Sequence, residues 1–97
     1  MFLNVEIVDC GEISNSYFVD YKIIGLTEEQ FKFLENNLDE KLEYNQENNY
    51  LKIRMDFTKE LYPFHTEESK FKKEDYKTRE EYEMNLFLSS FLEDLSI

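Results

Sequence analysis

The chain has 97 residues with 22 Asp and Glu against 11 Lys and Arg, a formal net charge of −11, yet 41% of residues are hydrophobic and 16% aromatic. That aromatic content excludes a disordered acidic tail, which has no core to build, and the acidity disfavours direct contact with nucleic acid or anionic lipid. One cysteine excludes an internal disulfide. No run approaches the ~20 apolar residues of a membrane span, and Met1–Asp9 lacks a secretory pattern. One domain in a reducing cytoplasm is the expectation.

In chain order, residues 2–9 alternate, with Leu3, Val5 and Ile7 on one side and Asn4 and Glu6 on the other, the period of a half-buried strand. A polar connection with Gly11 and Asn15 as turn formers leads into a second strand over residues 17–24, Val19, Tyr21 and Ile23 sharing one face. The pair reads as an antiparallel hairpin. After Gly25, Thr27-Glu28-Glu29-Gln30 forms a capping box. It opens a helix expected over residues 28–42, with Phe31, Leu34, Leu38 and Leu42 in one apolar stripe.

Asn48-Asn49 marks a turn, and Tyr44 can begin a short strand that pairs back across it. Residues 50–57 alternate clearly: Leu51, Ile53, Met55 and Phe57 inward, Lys52, Arg54 and Asp56 outward. Pro63 forbids a helix around it, and residues 67–76 read as a short helix or a loop. Thr78-Arg79-Glu80-Glu81 looks like a second capping box, opening a helix to about Leu95. The order gives an α+β fold: a small antiparallel sheet of three to four strands with two main helices on one face, β-β-α-β-(β)-α. Its expected core is Leu3, Val5, Ile7, Val19, Ile23, Phe31, Leu34, Leu38, Leu51, Ile53, Met55, Phe91 and Leu95.

Charge is unevenly placed. Residues 26–49 hold seven acids and two bases, whereas residues 50–60 hold two acids and three bases. On a helix reaching residue 42, Glu28, Glu35, Asp39 and Glu43 would line one side, with Glu29 and Glu40 further round. Such a carboxylate ladder imitates a row of backbone phosphates. Phe33 lies opposite the apolar stripe among these acids, as an interface anchor with a polar rim would. The expected partner-binding residues are therefore Glu28, Glu29, Phe33, Glu35, Asp39, Glu40 and Glu43. The last helix has a wide apolar face including Met84, Phe87, Leu88 and Phe91, which suggests self-association into a homodimer.

No motif for catalysis, metal or cofactor stands out. Cys10 and His65 have no nucleophile elbow, glycine run or orienting carboxylate around them. Two soft ligands do not make a zinc site. Residues 39–49 are rich in oxygen ligands but lack the order of a calcium loop. The expectation is a protein without enzymatic activity, cofactor or metal.

Small, acidic, aromatic-rich and motif-free, the chain resembles phage or plasmid proteins that block host defence nucleases, anti-CRISPR and anti-restriction proteins among them. It is also similar in profile to immunity proteins that neutralise nuclease toxins. The resemblance is one of size and composition, and it implies a non-catalytic inhibitor. Its acidic surface would meet a basic nuclease or other nucleic-acid-binding effector at its DNA, RNA or PAM site. The alternative is an immunity protein, or a dimeric structural or regulatory subunit whose acidity serves solubility.

Overall fold

The computed structural model describes residues 3–93. The chain opens with the expected hairpin, β1 (Asn4–Ile13) and β2 (Ser16–Ile24). The polar stretch after Asp9 is not a loop: Cys10–Ile13 continue β1, and Gly11 lies within the strand opposite Phe18. The turn is Ser14-Asn15, both with positive φ. That is the two-residue geometry whose twist matches the flanking strands. Between Ile7 and Asp9 the register slips by one residue at Val8. Such a bulge reverses the alternation, so Cys10 pairs with Val19 and continues the face begun by Leu3, Val5 and Ile7.

Gly25 turns the chain at φ 103°. The capping box then forms as the sequence predicts: Thr27 Oγ1 accepts from the Gln30 amide, and Gln30 accepts from the Thr27 amide. The helix, α1 (Glu28–Asn37), is shorter than expected and is capped by Leu38. Residues 41–45 leave it to form β3 (Lys41–Asn45), which pairs antiparallel with β4 (Tyr50–Phe57). Leu42 and Tyr44 satisfy alternation as well as they satisfy a helical stripe. Pairing with β4 decides the matter, because each strand residue gains ladder hydrogen bonds and a cross-strand neighbour.

Leu61 and Tyr62 donate their amides to the Thr58 carbonyl, and the following segment drops Tyr62 and Phe64 into the core. The capping box in this region is Thr66–Ser69, where hydroxyls and amides satisfy one another reciprocally, and it opens α2 (Glu67–Phe71). After Lys72 the chain re-enters a helix, α3 (Lys73–Glu93). The expected start at Thr78 is therefore corrected. Thr78 lies in the second turn, and its hydroxyl donates back to the Glu74 carbonyl.

The fold is α+β, in the order β-β-α-β-β-α-α, with one four-stranded antiparallel sheet in spatial order β1-β2-β4-β3. The helices share one face of it. Phe31 of α1 stacks on Tyr44 of β3 at 4.2 Å between ring centres. Met84, Leu88 and Leu92 of α3 enter the core with Leu3, Ile7, Val19, Ile23, Leu51 and Ile53. Burying each such side chain stabilises by roughly 1.5–3 kcal/mol. All the expected core residues are buried or packed against this cluster, except Leu95, which lies outside the described residues.

Candidate functional site

The early end of α1 separates residues that a longer helix would have aligned. Glu28, Glu29 and Glu35 stay on the exposed side of α1, Asp39 and Glu40 fall in the turn after it, and Glu43 stands on β3. The continuous helical ladder does not form. The acids of α1 nevertheless stay near β3, because α1 packs over it through Phe31 and Tyr44, while Glu43 stands by register on the other face of that strand. Six of the seven carboxylates between residues 28 and 47 are exposed, and Glu40 is half-buried. Among the described residues only Glu28 of these seven has an ion pair, with Lys32 at 3.4 Å.

Phe33 is not free in the midst of these acids. It is half-buried, its ring edge-on to Phe91 at 6.1 Å, and Phe91 meets Phe87 at 5.7 Å. On α1 it faces α3, a contact the sequence pattern gave no means of placing. The four residues expected to drive self-association divide likewise. Met84 and Leu88 are buried in the core, Phe91 is half-buried between helices, and Phe87 is 40% exposed. The more exposed apolar residues of α3 are Tyr82 and Leu86, one turn apart.

A third side of α3 is turned to β1. Asn85 accepts from the Leu3 amide and donates to its carbonyl, and Glu81 accepts from the Ile7 amide at 2.8 Å. These bonds cover part of an exposed strand edge, whose unpaired groups otherwise invite pairing with another chain. The opposite edge, β3, pairs only with β4.

The helix-free face of the sheet holds an arrangement that sequence reasoning missed. Asp20 alternates with the core-facing Val19 and Tyr21 of β2. It is on the helix-free face, but its side chain is 1% exposed. Arg54, directly opposite on β4, donates Nε and Nη2 to its two carboxylate oxygens at 2.8 and 2.9 Å. Lys52 Nζ lies 3.7 Å away, and the Phe18 ring lies 4.3 Å beneath the guanidinium. The Arg54 hydrogen bonds hold the Asp20 carboxyl below the usual range, against the opposing effect of burial, and the charges of Arg54 and Lys52 add to this. The only sequence signal was a lone Asp in an apolar strand whose partner strand carries two bases. By register this face holds Glu6, Asp9, Asp20, Glu43 and Asp56 with Lys22, Lys41, Lys52 and Arg54, so it is nearly neutral.

A cleft of about 440 Å³ lies between the 57–68 segment and α3, where Tyr62, His65, Tyr76, Arg79, Glu80 and Glu83 meet. Burial and the neighbouring Glu83 push the Glu80 carboxyl up. The Tyr62 hydroxyl is also pushed up, by burial first and then by its hydrogen bond with the Cys10 thiol. The His65 ring meets the Tyr62 carbonyl through Nδ1. Cys10 packs against the core cluster that contains Tyr62. Among the described residues no three His, Cys, Asp or Glu side chains cluster to hold a metal ion, and no helix is long and apolar enough to cross a membrane.

Residues 4–94 match the model of a Family of unknown function (DUF5750), and the chain belongs to that family. No curated protein matches it.

Proposed function

With membership of that family as the premise, we propose that the protein is a non-catalytic, cytoplasmic inhibitor that presents its α1–β3 end to a basic nucleic-acid-binding protein. The observation carrying this reading is the set of carboxylates between residues 28 and 47. All but Glu40 are exposed, and all but Glu28 lack an ion pair among the described residues. Acids that stabilise a fold are usually paired or capped. Unpaired acids gathered at one end build a local field that speeds encounter with an opposite surface. The partner would be a nuclease or similar effector, approached at its DNA, RNA or PAM site.

The test is capture of the partner from a nuclease-bearing host, followed by competition. Nucleic acid should displace the protein from the captured partner. Reversing Glu29, Glu35, Asp39 and Glu40 together should weaken binding mainly by slowing association. Binding that survives the reversal, with no competition from DNA or RNA, would place the interface elsewhere.

A second reading is a structural or regulatory homodimer that associates along α3. The exposure of Tyr82, Leu86 and Phe87 favours it. Phe87→Glu should then lower the mass in solution without unfolding the chain, and an unchanged mass would remove Phe87 from the interface.

A further inference from the structure

The open face of the sheet contains a concavity of about 380 Å³ bounded by Asp20, Lys41, Leu42, Glu43, Lys52 and Arg54. Three cations meet there in a chain with two acids for every base. Lys41 stands directly opposite Arg54 on the neighbouring strand. Like charges in that position destabilise a sheet. Asp20 offsets part of this cost and also sets the geometry. Its buried carboxylate takes two hydrogen bonds from Arg54 and attracts Lys52, so both cations are held in place. A guanidinium has five N–H donors and an ammonium three. Asp20 uses two from Arg54, and the Arg54 and Lys52 side chains remain 32% and 37% exposed. Lys41 has no ion pair among the described residues and is exposed.

We infer that this concavity binds a small organic anion carrying one phosphate or carboxylate group, held between Lys41, Lys52 and Arg54. Its size is that of small-molecule sites, roughly 300–1,000 Å³. The preset cations lower the cost of ordering the site on binding. Glu43 at the rim repels a second negative group and accepts a hydrogen bond from a hydroxyl of the ligand. Nucleic acid is a poor occupant, because its further phosphates would meet Glu6, Asp9, Glu43 and Asp56 on the same face. The inference does not depend on the inhibitor reading.

Titration of the full chain, followed by amide NMR, tests it. The probes are inorganic phosphate, the bare anion, and glycerol 3-phosphate, which adds hydroxyls; chloride keeps the ionic strength constant. The expected result is saturable shifts at residues 41, 52 and 54, with half-saturation at millimolar concentration. Lys41→Ala should weaken binding at least about fivefold, because it removes one charged hydrogen-bond donor. Lys22→Ala should leave binding unchanged, since the Lys22 ammonium sits over Tyr50 outside the concavity. Lys41 is outside the Asp20 cluster, and the variant's own spectrum reports that it is folded. Two results would overturn the inference: no saturable shift with either probe up to roughly 50 mM, far above a useful affinity, or saturation that Lys41→Ala leaves intact or Lys22→Ala weakens equally.

Discussion

The open face of the sheet and the α1–β3 end use charge in opposite ways. On the sheet face, strand register sets Asp20 opposite Arg54, and Asp20, Lys52 and Arg54 are ordered into one cluster. Residues 26–49 hold seven acids and two bases, of which Glu43 and Lys41 stand by register at the edge of the open face, and one ion pair forms among the described residues of the α1–β3 end. The net charge of −11 is therefore not a uniform coat. The open face carries four bases beside five acids and residues 59–79 carry six more bases, whereas residues 26–49 hold seven acids against two bases. That contrast makes the sheet face a matter of stability and the acidic end a matter of encounter.

Substitutions can break or sharpen this contrast. The largest effect should come from the shared core beneath both regions: Leu88→Ala should cost about 2–5 kcal/mol in urea unfolding, as deletions at fully buried leucines do. Asp20→Ala should follow, at about 2–3 kcal/mol. It strands Arg54, although the partial exposure of that side chain keeps the cost below that of a fully buried pair. If Asp20→Ala is neutral, the sheet face is no more structural than the acidic end. Asn85→Ala should cost about 1–2 kcal/mol by freeing both backbone groups of Leu3. By contrast, Glu35→Ala or Asp39→Ala should stay within about 0.5 kcal/mol, as exposed positions usually do.

The pH dependence sharpens the same comparison. The folded-state pKa of Asp20 is lowered, so its contribution is complete above the ordinary carboxylate range and is lost as pH falls through that range toward the folded value. Asp20→Asn should flatten that acid limb. Glu80 is raised, so its ionisation costs stability once pH rises above the ordinary glutamate value. Glu80→Gln should therefore raise the thermal midpoint slightly at neutral pH and lose that gain in acid. A loss of stability at neutral pH would mean that the Glu80 carboxylate is paired rather than strained.

Much of this was legible in the chain. The alternation of residues 50–57 and the Thr27–Gln30 box specify their elements by local chemistry, and both formed as read. The end of α1 was not legible, because Leu38 and Leu42 continue a helical stripe while Leu42 and Tyr44 begin an alternating one. No glycine or proline stands between them. The bulge at Val8 depends on a partner strand distant in sequence. Most of the acids of the candidate surface were visible as composition, but the helical ladder was lost with the end of α1, and Phe33 joined a contact between helices. The Asp20–Arg54 pair could not be found without strand register, since 34 residues separate them.

The central claim is that the acidic α1–β3 end, rather than total charge, directs association. The direct measurement is the association rate with the captured basic partner at low and high salt for the wild type and two fourfold reversals. One reverses Glu29, Glu35, Asp39 and Glu40. The other reverses Glu67, Glu68, Glu74 and Asp75, which are exposed on α2 and the start of α3, and changes net charge equally. The first should slow association about tenfold or more at low salt and flatten its salt dependence, and the second should change it far less. Equal slowing by both sets, or by neither, would contradict the account.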